Sequence, residues 1–244
     1  MRSLSGAELL EVWEAARDER PAERALVLLA EACPEFTPEA LAALSIGGRD
    51  ALLLELRETI FGPDLRGYAD CPHCGFQLEF AVGAADIRVE QSAAPVAEGQ
   101  LSAGDFSARF RLPNSRDLAA AAATRNPDDA RRELVRRCLT EPMRAGERIE
   151  HDSLPRDATE RAAALMLARD PQAEVILRLT CPTCAFAWAA TLDIGEFLWA
   201  ELSAQASRLL HEVDTLARAY GWRETDVLTL SARRREAYLA MAGA

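Results

Sequence analysis

Cys71-Pro72-His73-Cys74-Gly75-Phe76 and, far along the chain, Cys181-Pro182-Thr183-Cys184-Ala185-Phe186 decide how this sequence folds. Each pair is followed by residues of period two. Phe76, Leu78, Phe80 and Val82 alternate with Gln77, Glu79 and Ala81, and Phe186, Trp188, Ala190 and Leu192 alternate in the same way. Val175, Leu177 and Leu179 alternate into the second pair. Such alternation is that of half-buried strands, so each C-x-x-C lies at the edge of a β-hairpin. One C-x-x-C turn presents two sulfurs to one side of an ion. Two turns complete a tetrahedral thiolate shell with Zn–S about 2.3 Å. The sequence therefore predicts one structural Zn2+ held by Cys71, Cys74, Cys181 and Cys184. The residues between the pairs form an insertion, because compact zinc ribbons bring their pairs much closer in sequence.

Other uses of these cysteines fit less well. Cys71-Pro72-His73-Cys74 resembles the active-site sequence of oxidising thioredoxin-like proteins, but there the first cysteine opens a helix, and here a strand follows. That reading would make the chain a thiol oxidoreductase. A catalytic zinc needs an open position, and four thiolates leave none. His73 could stand in for a cysteine, although a solvated turn residue is the simpler assignment. A zinc-ribbon nucleic-acid adaptor would need cations near the knuckles, whereas the nearby charges are read as Asp70, Glu79, Asp193 and Glu196. Cys33 and Cys138 fall on apolar helix faces and read as small core residues.

The balance of charge points the same way. The chain has 244 residues and a formal net charge of −11, a poor start for binding phosphate. All its basic side chains are arginine, which removes lysine Schiff-base chemistry and the P-loop lysine. A chain this long buries roughly 70–75% of its unfolded surface, so metal is not needed merely to make a core. Met1 to Val12 contains Glu8 and Glu11 and no signal-peptide run, and nowhere are 18 apolar residues consecutive. The expected compartment is the cytoplasm, where reduced thiols favour metal over disulfide. No Gly-rich phosphate loop or nucleophile triad is legible, and His151 and His211 lack an evident constellation. The expectation is a protein that is not an enzyme.

Outside the knuckles the chain reads mainly as helix. Ser5 with Glu8 has capping-box spacing, Pro21 suits a first helical position, and Thr37-Pro38-Glu39 opens another helix. A helix follows Gly47-Gly48 and runs to Gly62. Ser92 to Asp105 reads as loop, and Phe106, Ala108, Phe110 and Leu112 as a strand. Asn114 with Asp117, and Asn126-Pro127-Asp128, open two helices. Glu141 to Pro155 reads as loop, Asp157 to Ala168 as helix, and Ile194 to Ala219 and Glu224 to Met241 as the C-terminal helices. The fold class is α+β: a small antiparallel sheet with paired zinc knuckles, flanked by N- and C-terminal helices. Its parts are an N-terminal helical region 1–62, the knuckle sheet with its helical insertion 63–193, and C-terminal helices 194–244, in one compact unit. Trp199 sits off the apolar face of its helix and is a candidate partner contact. Arg233, Arg234 and Arg235 form a basic run beside Tyr238 that could dock an acidic partner.

The ordered combination of Gly47 to Gly62, Cys71-Pro72-His73-Cys74-Gly75, Leu112-Pro113-Asn114-Ser115-Arg116-Asp117-Leu118, Cys181-Pro182-Thr183-Cys184 and Phe197 to Leu202 resembles one family. The ending from Leu209 to Leu239 strengthens the likeness. It is that of T-even phage-type baseplate hub assembly proteins, found in contractile tails and contractile injection systems. The resemblance implies an accessory protein for building the hub and spike, without catalytic residues, whose partners are baseplate hub or spike proteins. It carries over the four cysteines as the metal shell, and Tyr220, Gly221, Trp222, Arg234 and Tyr238 as a C-terminal signature. Trp199, Trp222, Arg234 and Tyr238 are the expected partner-binding residues. Ala185 departs from the pattern, which favours glycine there; a left-handed backbone at this point would cost alanine about 1 kcal/mol.

Overall fold

A computed structural model describes residues 1–89 and 98–243. The chain opens with α1 (Gly6–Ala16), started by the expected reciprocal cap: Ser5 Oγ accepts from the Glu8 N–H, and the Glu8 carboxylate accepts from Ser5 N–H at 2.8 Å. These bonds from Ser5, joined by Arg2, hold the Glu8 carboxyl down to about 2. α2 (Pro21–Ala32) begins on its proline, and Thr37 caps α3 (Pro38–Ala43). α4 (Ile46–Phe61) precedes the first hairpin, β1 (Asp64–Asp70) and β2 (Gln77–Gly83), which ends in the single turn α5 (Ala84–Ile87).

The insertion then contributes β3 (Glu98–Ala103), β4 (Phe106–Arg111), α6 (Ser115–Ala122), α7 (Pro127–Cys138), β5 (Leu139–Arg144), β6 (Glu147–Arg148) and α8 (Arg156–Arg169). The second hairpin is β7 (Val175–Thr180) and β8 (Ala187–Leu192). After it come α9 (Ile194–Tyr220), α10 (Glu224–Leu228) and α11 (Ala232–Ala242). The fold is thus mixed helix and antiparallel sheet, as the periodicities require. Among the described residues the sheet is divided into three: each hairpin is a two-stranded ladder, and β3-β4-β5-β6 form a third sheet inside the insertion.

Two apolar cores explain the division. Leu9, Leu28, Leu53, Leu65, Leu198 and Leu202 join α1, α2, α4 and α9 to the feet of the hairpins. Leu101, Phe106, Phe110, Val135, Leu139 and Met166 fill a separate core between the inner sheet, α7 and α8. The two meet at the start of α4. Ile46 N–H donates to Pro113 C=O at 3.0 Å, Ser45 bridges Asn114, and buried Asp170 accepts from Gly47 N–H at 2.8 Å. Gly47 therefore lies inside the first helical turn rather than before it, with Ser45 as the cap. A Cβ at Gly47 would stand 2.1 Å from Asp170 Oδ1, so only glycine admits this carboxylate. Buried Gln172 ties the insertion's ends, accepting from Val89 N–H at 2.7 Å and donating to Ile87 C=O at 3.2 Å.

Several elements differ from the sequence expectation. β1 carries only Leu65 as a fully buried apolar side chain, too little to signal a strand. The loop expected over Ser92–Asp105 contains β3, which turns Leu101 and Ala103 inward; its part before Glu98 lies outside the described residues. The loop expected from Glu141 contains β5 and β6. Pro142 and the left-handed Glu141 (φ 51°) disguise β5, and Ala145-Gly146, both with positive φ, form its hairpin turn. The last helix breaks at Ser231, whose hydroxyl accepts from Arg234 N–H and starts α11 afresh.

Candidate metal centre

The two hairpins end in matching turns. Asp70 pairs with Gln77 and Thr180 with Ala187, so each ladder closes immediately before its first cysteine and opens after its second. In the first turn Cys71 N–H donates to Phe76 C=O and Gly75 N–H to Cys71 C=O, both at 2.9 Å. In the second, Cys181 N–H donates to Phe186 C=O at 2.9 Å and Ala185 N–H to Cys181 C=O at 3.0 Å. The turn needs a left-handed residue after its second cysteine. Gly75 supplies it at φ 72° and Ala185 at φ 57°, so the departure noted in the sequence falls on a position where glycine is favoured.

These turns bring all four sulfurs within 4.8 Å of one another. The Cys71 and Cys184 Sγ atoms are 3.7 Å apart, and those of Cys74 and Cys181 are 3.6 Å apart. A disulfide would require about 2.05 Å, so these are free cysteines. A tetrahedral ion with Zn–S of about 2.3 Å has sulfurs about 3.8 Å apart along each edge. The spacing and the thiol donor set therefore fit a four-coordinate soft ion. Cys71 and Cys181 are buried, Cys184 is half-buried and Cys74 is exposed, leaving one side of the cage toward solvent.

The acidities of the thiols show what a cation would change. Burial opposes ionisation at Cys181, but N–H groups of Cys184 and Thr183 and the neighbouring Cys184 and Cys74 thiols bring it down to about 6. At Cys184 the Phe186 N–H favours the thiolate, yet burial and the sulfurs of Cys74, Cys181 and Cys71 push it up to about 12. Without a cation the cage thus favours one thiolate and resists four. A divalent ion removes that mutual repulsion, because each ligand is a deprotonated sulfur.

His73 stands outside this group. Its ring stacks on Phe186 of the other knuckle at 5.4 Å, and Phe186 in turn faces Trp188 at 6.4 Å. The His73–Phe186 contact was not legible in the sequence because these two rings are neighbours only across the two hairpins. Sequence reading placed Asp193 and Glu196 beside the knuckles, whereas both follow β8 at the end opposite the cysteines. There Asp193 caps α9, and Glu196 pairs with Arg24 at 3.0 Å. Asp70 and Glu79 remain the acidic groups of the first hairpin nearest its knuckle.

The other candidate residues fall into two places. Trp199 is partly buried against the main core, with the Arg24 guanidinium 4.5 Å over its ring. Trp222 and Tyr238 join Tyr220 in one aromatic cluster, with ring centres 4.8 Å apart for Tyr220–Trp222 and for Trp222–Tyr238. Arg234 is exposed on α11, four residues before Tyr238. Arg235 is not part of a solvated basic run: it is buried, donating to Glu212 at 2.7 Å and to Leu230 C=O at 2.7 Å.

The insertion contains a polar knot of its own. Burial alone would raise Asp117, but the paired bonds from Arg111, the Asn114 N–H and Arg137 hold its carboxyl down to about 2. Its neighbour Cys138 is pushed up to about 12, first by burial and then by that carboxylate, which fits the inert core residue expected.

Among known proteins, a family model described as T4 bacteriophage base plate protein matches residues 5–199. No curated protein and no solved structure matches the chain.

Proposed function

Because the chain belongs to the T4 bacteriophage base plate protein family, we propose that it is a non-enzymatic assembly factor or component of the baseplate hub in a contractile, phage tail-like injection system. The observation that carries this reading is the family match over most of the chain. It is supported by a cysteine cage suited to holding shape rather than to performing chemistry. Cys71, Cys74, Cys181 and Cys184 would hold Zn2+, which would supply a fixed tetrahedral junction between hairpins that share no ladder. With four sulfurs engaged, no coordination position is left for substrate. Its partners in this reading are hub or spike proteins. Trp222, Arg234 and Tyr238 at the C-terminal end are assigned to partner contact on the strength of their cluster and exposed cation. Among the described residues no helix is long and apolar enough to cross a membrane.

Deletion of the gene tests the role. Particles should lack a complete hub or spike, and normal, infective or injection-competent particles would sink the reading. Metal analysis tests the centre: one zinc per chain is expected, and a purified, folded chain free of zinc with four titratable thiols would reject it.

A further inference from the structure

The two knuckles form an exposed tip that differs in chemistry from the rest of the surface. Cys71 to Leu78 and Leu179 to Leu192 contain no charged side chain, in a protein where 27% of residues are charged. Pro72, His73, Phe76, Pro182, Ala185 and Phe186 are nonetheless exposed there. Phe76 is 43% and Phe186 40% accessible, and neither ring is needed by the buried cores. Contact surfaces between proteins are depleted of charge and enriched in aromatic residues at their centres. A tip clamped by four sulfurs and stacked through His73 and Phe186 also loses little conformational freedom when bound.

We infer that this tip is a docking surface for a protein partner offering an apolar socket to Phe76 and Phe186, with arginine or lysine side chains facing Asp70 and Glu79. The charge of the partner follows from the first hairpin's collar. Asp70 and Glu79 are exposed and enter no ion pair or side-chain hydrogen bond among the described residues. Arg178, on the second hairpin, is the single cation at the same height above the knuckles, opposite Ala189 as Glu79 is opposite Tyr68. With Arg66 and Asp64 farther from the knuckles on the same exposed face of β1, three carboxylates stand against two guanidinium groups, which favours a basic rim. A second copy is a poor occupant, since a two-fold contact presents the same acidic collar from both sides, and the chain carries a net charge of −11. The inference rests on the baseplate reading and names the chemistry of its contact.

The test measures binding of the zinc-loaded full chain to the isolated hub and spike proteins of the same particle. Phe76→Ser with Phe186→Ser should weaken binding at least tenfold while zinc content stays unchanged and melting remains a single cooperative transition. Asp70→Arg with Glu79→Arg should weaken it several-fold and flatten its dependence on salt. If the wild-type chain binds and the double phenylalanine variant binds equally well, the tip is not the docking surface and the baseplate reading survives. If the wild-type chain binds neither protein, the baseplate reading falls, and this inference with it. Dimerisation lost in the phenylalanine variant would assign the tip to a second copy. Binding to phosphatidylcholine–phosphatidylglycerol vesicles would assign it to lipid. Either result overturns the proposal.

Discussion

The first and second hairpins share a turn and almost nothing else. Both close on the same register, place a left-handed residue after the second cysteine and bond the first cysteine's N–H to the following phenylalanine. Their strands diverge. The first exposes Asp64, Arg66, Tyr68, Asp70 and Glu79, while the second exposes alanines and threonines around Ile176 and Arg178. The first ends in one helical turn and the second in the long α9, whose Leu198 and Leu202 are fully buried. Four sulfurs around a point tolerate little variation in the backbone that carries them. A strand face in solvent has no such constraint. What is alike in the two halves is therefore set by the need to bring four sulfurs together, and what differs is available for anchoring in one half and, in our proposal, for recognition in the other.

The largest effect should come from breaking what they share. Cys181→Ser and Cys74→Ser remove a buried and an exposed sulfur, yet each should abolish tight zinc binding and loosen both hairpins together. Structural zinc in small domains contributes about 10–16 kcal/mol of binding free energy, so chelation of the wild type should mimic either variant in thermal melts. A variant that released only its own hairpin, seen by hydrogen exchange, would show that the halves are independent.

Next in size is a change that touches neither hairpin. Asp117→Ala leaves Arg111 and Arg137 without their shared carboxylate and removes the return half of the α6 capping box, the bond to Asn114 N–H. Both arginines are about a third exposed, so the loss should be about 3 kcal/mol, below that of a fully buried pair. Zinc content should not change. Loss of metal in this variant would mean that the insertion, and not the cage alone, sets the distance between the halves.

Asp50 lies on α4, close to Asp170 and Asp193 at the root of the second hairpin. Burial raises its carboxyl to about 6; Arg49 pulls it down, and Asp193 and Asp170 add to the rise. A folded-state value above the unfolded one favours the folded state at low pH and loses that contribution as pH climbs through 6. Relative to Asp50→Asn, the wild type should thus gain about 2 kcal/mol between pH 7 and pH 4 in denaturant titrations. Parallel curves for the two proteins would remove Asp50 from the account.

The smallest prediction makes the knuckles identical. Ala185→Gly should stabilise by about 0.5–1 kcal/mol, and Gly75→Ala should destabilise by a similar amount, with melting temperature as the readout. Equal and opposite shifts would show that both turns are held to the same geometry.

The parts of this molecule that were legible in its sequence are those decided locally. Cysteine spacing, caps such as Ser5 with Glu8 and Asn114 with Asp117, and the alternation of β4 all reappear in place. β1 was hidden because Gly67, where a Cβ would meet Phe80 Cζ at 2.7 Å, stands where an apolar side chain would have signalled a strand. β5 was hidden by a proline and a left-handed residue, which belong to loops by every local rule. The aromatic stack at the cage and the docking of Asp170 on Gly47 join residues distant in sequence, and no window along the chain contains both partners.

The cage also imposes an order of events. Its closest sulfur pairs join residues 113 and 107 positions apart. At a synthesis rate of about 5–20 residues per second, the first knuckle emerges from the ribosome some 5–20 s before the second. During that interval Cys71 and Cys74 can offer an ion only half a shell. The intervening segment, which has a core of its own, can fold in the meantime and return the chain to the waiting turn. A metal held by all four sulfurs would thus be the last component to arrive, and a chain arrested inside the insertion could not complete its shell.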